Sequence, residues 1–541
     1  MAQLFLLGGI SLPVSQPEEA FAEKARRFVQ ERIPGAHVES TKIYKRSLDC
    51  RKAPQIQRVC TVLAEVACTK EQAQRLLHAE GNVRLFSEDT LRISRGTEKA
   101  AGRVAVIGFG PCGMFAALLL SEAGYAPIVF ERGDDVAQRI QAVSLFREQH
   151  RLNLRSNIQF GAGGAGTFSD GKLTTRIHDP KCRYVLRRFV DFGADPDILI
   201  DAKPHLGTDV LPGIVSNLRD AVKRHGGEFH FTTTVKAFSK NTDGALVLHT
   251  DRGDFACGAA VFAPGHSARD TYRMLLDNAY PLIPKPFSVG VRIEHLQSDI
   301  NQMIYKGAQE RESLPPAEYA LSMRDGARGV YSFCMCPGGE VVGAASEEGG
   351  VVVNGMSNSL RDGRNANAAL AVSVLPEDFS ADCRRAIEFQ RTLEQAAFAA
   401  GGKSYACPLQ TVGDFLADTS QAEPSRVLPT YLGGFYKTCN LKTVLPPFVT
   451  TMLSSGIRFF GRRYPGYDMP QALLCAVESR TSAPLRILRT EQGYIPGHDL
   501  LYPAGEGAGY AGGITSAACD GLTAALSLMA RFAPPQEKEL G

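Results

Sequence analysis

Gly108-Phe109-Gly110-Pro111-Cys112-Gly113 follows the apolar run "RVAVI" (103–107) and opens a helix-like segment over 111–123 that stops at Gly124. Strand, G-x-G-x-x-G, then helix is an order that few folds accommodate. Gly108 permits a tight turn, Gly110 lets the backbone approach a pyrophosphate, and Gly113 lets helix and strand pack closely. The helix start offers unpaired N–H groups and a positive dipole end to phosphate. Ala117 and Gly124 put small residues where the helix meets the sheet. "PIVFE" (127–131) reads as a second strand, and Glu131 ends it eighteen residues beyond Gly113. A carboxylate there can accept hydrogen bonds from both ribose hydroxyls and repels a 2′-phosphate. The unit reads as a β-turn-α-β site for FAD or NAD, and against NADP.

Two more segments match the same glycine spacing. "GAGGAG" (161–166) is followed by neither an apolar helical pattern nor an acid-tipped strand, and "GK" at 171–172 lacks the Ser or Thr of a P-loop. Ser169, Asp170, Lys172, Thr174 and Thr175 crowd behind its glycines. Two readings stay open: a backbone lying against a flat ligand with Lys172 supplying positive charge, or a surface turn. Gly507-x-Gly509-x-x-Gly512, in "LLYPAGEGAGYAGGITSAACDGLTAAL", has a strand before it and a helix from about 513 to 531 after it. Twenty residues follow Gly521, too few for a second strand and its acid. This segment is expected to be one wall of a site, with a helix start near Gly512–Thr515.

A chain of 541 residues implies two or three cores. Hydrophobic content of 44% with 22% charged residues excludes a disordered chain, and a net charge of +3 gives no general pull towards nucleic acid or anionic membrane. The N-terminal "MAQLFLLGGISLPVSQPEE" lacks a basic lead and reads as a strand, not a signal peptide. No apolar stretch is long enough to span a bilayer without interruption, so a cytoplasmic protein is expected. Thirteen cysteines are scattered without a C-x-x-C pair, a spacing that suits neither zinc nor an iron–sulfur cluster, and no metal site is expected. Cys334 and Cys336, two apart on the strand-like "VYSFCMC", read as small buried hydrophobes rather than a redox pair.

Residues 1–95 read as a small α/β unit. "QLFLL" (3–7) and 54–66 are strand-like, and "PEEAFAEKARRFVQERI" has helical spacing. A second helix is capped by Thr69 and stopped by Gly81. The basic "YKRSLDCRK" (44–52) reads as a solvated loop. Beyond a polar linker at 94–103, a helix over "VSNLRDAVKRHGG" leads to strands in "EFHFTTTVKAFSK", "ALVLHTDRGDFAC" and "AAVFAPG". Strands dominate 287–353, a helix covers about 380–400, and 425–470 resists assignment.

One resemblance organises these pieces. The first glycine unit, the central "AAVFAPG" and the closing "LYPAGEGAGYAGGI" resemble the two-dinucleotide-binding flavoproteins. "NIQFGAGGAGTFSDGKL", "KPFSVGVRIEH", "SFCMCPGGEVV", "VVNGMSNSLRDGRNANAAL" and "ESRTSAPLRILR" narrow it to the bacterial family of FAD-dependent dehydrogenases, also called NAD(P)/FAD-dependent oxidoreductases. The resemblance implies an α/β fold. A discontinuous, glutathione-reductase-like Rossmann FAD domain (100–285 and 485–541) would be interrupted by a mixed, β-rich substrate domain (286–484) and preceded by the small unit at 1–95.

It also implies site residues. Gly108, Gly110, Gly113 and Glu131, with Pro111, Cys112 and Arg132 beside them, should hold the ADP half of FAD. Val235 should sit at the adenine, Ala263 and Gly265 on the central strand's loop, and Gly163, Gly164 and Gly166 beside the flavin. Gly505, Glu506, Gly512, Gly513 and Ile514 should contact ribityl and ring. Arg292, Glu294 and Arg480 fall on the substrate side, although Arg292 and Glu294, two apart on one strand face, equally suit a structural ion pair.

The function these features favour is hydride transfer between bound FAD and a small organic substrate, with NAD(P)H as a transient donor since no second complete unit exists to hold it. Lys172 or Arg480 would stabilise negative charge or orient a carboxylate, and Asp170 or Glu506 would relay a proton. A flavin monooxygenase, a flavin-dependent RNA-modifying protein and a non-catalytic FAD carrier are the competing classes. The near-neutral charge counts against RNA.

Overall fold

The structure is a computed structural model and describes residues 2–79, 82–88, 90–309 and 314–535. Val104–Ile107, a run of four buried apolar residues, lies at the centre of a five-stranded parallel sheet. Ala259–Phe262 and then Leu501–Pro503 lie on one side of it, and Ile128–Phe130 and then Glu228–His230 on the other. Continuous apolar runs are what a sheet covered on both faces requires. The chain leaves the central strand towards one side and returns on the other, so a crevice opens at the strands' carboxyl ends.

Helix Pro111–Glu122 is buried on nearly every side, which suits a segment apolar all round. It is sandwiched because the terminal helix Ile514–Arg531 packs directly along it. The crossing is as close as backbones allow. A Cβ on Gly521 would lie 2.1 Å from the carbonyl oxygen of Cys112, and one on Gly505 would lie 2.7 Å from the Cβ of Cys112. Tyr125 Oη fixes the far end by donating to the carbonyl of Phe532 at 2.6 Å.

Strands Leu282–Pro284 and Leu485–Ile487 pair antiparallel with each other. The chain between them builds a seven-stranded mixed sheet around Phe287–Leu296, with helices Cys383–Ala400 and Pro447–Arg463 packed against its core. Helix Gln297–Tyr305 interrupts what the sequence suggested was a run of strands, and Pro447–Arg463 occupies the stretch that resisted assignment. "EFHFTTTVKAFSK" is not one strand. Glu228–His230 belongs to the parallel sheet and Val235–Lys240 to a separate three-stranded antiparallel sheet, with Thr232 at φ 51° breaking the run between them.

The N-terminal unit is an antiparallel sheet in the strand order His37–Asp49, Gln57–Ala67, Ala2–Pro13, Asn82–Leu85. With helices Ala20–Arg32 and Lys70–His78 against it, this is a split βαββαβ arrangement. Thr69 caps the second helix as expected, whereas Gly81, its expected stop, lies outside the described residues. The basic stretch expected as a solvated loop is instead the end of a strand. Arg46 pairs with Asp197 and Asp201 at 2.6 Å each and so docks the unit on the following region.

The Gly521 contact yields a test with a diagnostic sign. At an exposed helix interior, Gly→Ala stabilises by about 1 kcal/mol. At Gly521 the new methyl would enter the Cys112 carbonyl, so Gly521→Ala is expected to destabilise by about 1–3 kcal/mol in denaturant unfolding.

Candidate functional site

A cleft of about 1390 Å³ of empty space, open to solvent, lies at the carboxyl ends of the parallel strands. All three glycine segments reach it, each for a local reason. The first turns under Gly108 (φ 95°), and Glu131 takes the N–H of Phe109 at 2.8 Å. The same carboxylate takes the N–H of Gly133 (2.9 Å) and of Gly161 (3.0 Å), tying the second glycine segment to the first. Oε2 keeps one acceptor direction beside the cleft. Gly164 (φ 62°) then lies so near that a Cβ on it would stand 2.7 Å from Gly110 Cα. The third segment closes the ring. A Cβ on Gly166 would meet the Ile514 side chain at 3.0 Å, and one on Gly507 the Gly265 carbonyl at 2.5 Å.

Arg139, fully buried, makes the second segment rigid. It donates to the carbonyls of Asn157 (3.0 Å), Ile158 (3.0 Å), Gly161 (3.3 Å) and Ala162 (2.6 Å). Burial pulls its guanidinium down to about 10. Nothing local marks this role, since an Arg in a helix normally faces water.

The cleft's lining includes Gly108, Gly110, Pro111, Cys112, Glu131, Arg132, Gly164, Gly166, Val235, Ala263, Gly265, Glu506, Gly512, Gly513, Ile514 and Arg480 from the expected set. Gly113, Gly163 and Gly505 lie behind the wall, where they permit packing. A Cβ there would meet the Gly108 carbonyl (1.8 Å), Thr167 Oγ1 (2.0 Å) or Cys112. Asp170 and Lys172 do not line it. Asp170 accepts from Ser357 and from Arg361 (3.1 Å), and Lys172 donates to the Met335 carbonyl while facing Glu318 at 3.9 Å. They fasten the glycine segment to the stretch of chain between Pro284 and Leu485. Arg292 is likewise fully buried behind the wall. Its carboxylate partner is Glu478 (3.4 Å) rather than Glu294, which instead accepts from Asn365 (2.9 Å) and Thr430 (2.7 Å). Cys334 lines the cleft from a bulge at φ 42°, its carbonyl held by Arg292 at 2.7 Å, so it does not share a regular strand face with Cys336.

Glu478 and His266, missed from sequence, also line the cleft. The signal for Glu478 was the acid that ends the apolar run "LLCAV" two residues before Arg480. Burial pushes its carboxyl up to about 7, against the lowering influence of Arg292 and His266. His266 Nδ1 stands 3.5 Å from Glu506, and its Nε2 is buried without a partner among the described residues.

Arg480 is held by Glu394. Nε and Nη2 of Arg480 reach the two carboxylate oxygens at 3.0 and 2.8 Å, while Arg269 grips the same oxygens at 2.6 and 2.8 Å. Ser479 Oγ adds a bond at 2.6 Å. Burial alone would raise the Glu394 carboxyl, but the two guanidinium groups overcome it and hold it well below the usual carboxylate range.

The cleft suits a dinucleotide on its own geometry. Neither helix that starts at it, Pro111–Glu122 nor Ile514–Arg531, has a side-chain cap, so their first N–H groups stay available. A Cβ on Gly512, Gly513 or Gly265 would meet nothing within 4 Å, which leaves backbone bare to the space. Residues 286–481 match the family described as FAD-dependent protein, C-terminal domain-like, so the class is that of FAD-dependent proteins. The chain belongs to the same family as an uncharacterised protein of Clostridium beijerinckii, which is 45% identical over 502 residues, 91% of this chain and 93% of that one. Among solved structures, CtdE in complex with FAD is 9% identical over 80% of this chain and 82% of its own, with a TM-score of 0.30. The amino acid oxidase NikD is 13% identical over 81% and 97%, with a TM-score of 0.31. Likenesses this loose transfer no residue roles.

Glu394→Gln leaves two buried guanidinium groups short of their counter-charge. Denaturant unfolding is expected to show a loss of about 3–5 kcal/mol. Because the native carboxyl is depressed, its stabilisation is present above the unfolded-state value and lost as pH falls. The deficit of the variant is therefore expected to shrink in acid.

Proposed function

We propose that the protein is a FAD-dependent oxidoreductase that exchanges a hydride between bound FAD and an organic substrate in the cytoplasm. The observation that carries this reading is the convergence of three glycine segments and two uncapped helix starts on one cleft. Gly108–Gly113 and Glu131 would hold the ADP half, Val235 would face the adenine, and Gly164–Gly166 with Gly512–Ile514 would hold the flavin half. In this reading 100–285 and 485–541 form one FAD domain, 286–484 is the inserted substrate domain, and 1–95 is an accessory unit. When bound, FAD supplies the two-electron redox chemistry.

The chain's own groups handle charge and protons. The start of the terminal helix points N–H groups and a positive dipole end at electron-rich ligand atoms. Glu478, titrating near neutrality, can hold or release a proton inside the cleft, the property a general acid–base needs. His266, backed by Glu506, is a second group able to move one. Arg480, already satisfied by Glu394, offers its remaining N–H groups to a ligand as a hydrogen-bond donor rather than as a free charge. NAD(P)H, if it is the donor, would visit the open cleft.

Two measurements test this. Purified protein should carry flavin absorbance that bleaches anaerobically with one of NADH and NADPH and not the other. Protein without flavin and unable to take it up would end the proposal. Turnover should show an inflection near pH 7 that Glu478→Gln removes. The sign for stability is the reverse of the usual acid case. A carboxyl raised from 4.5 to about 7 contributes stability below pH 4.5 that is lost as pH rises to about 7. Glu478→Gln should flatten that slope.

A further inference from the structure

A second cavity, more open to solvent than the cleft and of about 720 Å³ with that solvent included, adjoins the cleft and shares Phe333, Thr481 and Gly512 with its lining. It is therefore an extension of the same space. Phe287 and Tyr331 add ring surface, and Ser373 and Ser482 add hydroxyl groups. Tyr331 Oη donates to Ser288 Oγ at 2.8 Å, which leaves the Ser288 hydroxyl a proton to give. No charged side chain lines this cavity among the described residues.

The guanidinium groups of the adjoining cleft are already matched. Arg480 is bound to Glu394 (2.8 Å) and Arg132 to Asp270 (3.0 Å). Glu131 accepts three backbone N–H groups and keeps one Oε2 direction for the ADP half of FAD. In the second cavity an ionised substrate group would give up part of its hydration and find no charged side chain beside it. Ring faces and hydroxyl donors favour the opposite kind of molecule.

We infer that this cavity is the substrate subsite and that it takes an uncharged aromatic molecule bearing a hydroxyl or carbonyl group. The inference rests on the flavoenzyme reading for the reaction, but the binding preference can be measured apart from it. Titration calorimetry with p-cresol, p-hydroxybenzoate and tyramine, on protein with FAD and on protein stripped of it, compares a neutral, an anionic and a cationic probe of similar shape. p-Cresol should bind about tenfold or more tighter than either charged probe. Ser482→Trp, which fills the cavity, should weaken p-cresol about tenfold with FAD content unchanged, and Phe333→Ala, which removes a ring wall, about fivefold. Equal or tighter binding of a charged probe, no binding of p-cresol, or p-cresol binding untouched by both substitutions overturns the inference. Protein that takes up no FAD overturns the flavoenzyme reading instead, and the calorimetry on flavin-free protein still decides the subsite.

Discussion

The buried Arg269–Glu394–Arg480 bridge is the interaction on which the arrangement of the site depends. Arg269 starts a helix that follows the Ala263–Gly265 loop, Glu394 belongs to a helix of the inserted sheet, and Arg480 ends the segment that returns from it. One carboxylate thus joins three parts of the chain far apart in sequence and fixes the inserted sheet over the cleft. A bridge of this kind is a poor source of net stability, because removing charges from water costs as much as their attraction returns. What it does here is geometric. It orients Arg480, and because Glu347 also takes Arg269 at 3.1 Å, two carboxylates stand against the two guanidinium groups.

The second constraint is the absence of side chains. A Cβ on Gly164 would stand 2.7 Å from Gly110 Cα, and one on Gly521 2.1 Å from the Cys112 carbonyl, approaches that only a missing side chain permits. Those approaches let segments beginning near residues 108, 161 and 505 share one space. Three matches to one spacing therefore have three jobs: a turn at a helix start, a loop laid over that turn, and the start of the helix that packs alongside the first. Only the first has the strand, helix and acid of a complete unit.

How far the sequence could be read follows the range of the interactions. The unit around Val104–Ile107, Pro111–Glu122 and Ile128–Phe130 was legible because each signal is local: an apolar run, glycine spacing, and an acid at a strand end. The terminal helix was legible for the same reason. Arg139, Glu394 and Arg269 were not, since their roles come from partners set by tertiary packing. Lys172 and Asp170 misled in the opposite way. Their crowding behind a glycine loop suggested a ligand, but their partners, Met335, Ser357 and Arg361, lie in the stretch of chain between Pro284 and Leu485. Arg292 found its carboxylate on a neighbouring strand, at Glu478, rather than two residues along its own. Periodicity assigns residues to a face, but not the strand that packs against it.

The central claim is that three glycine segments build a single cofactor site rather than two or three. Equilibrium titration of flavin-stripped protein with FAD measures this directly. The account predicts saturation at one FAD per chain, with ADP competing for the same site. Saturation at two or more, or FAD binding indifferent to excess ADP, would contradict it.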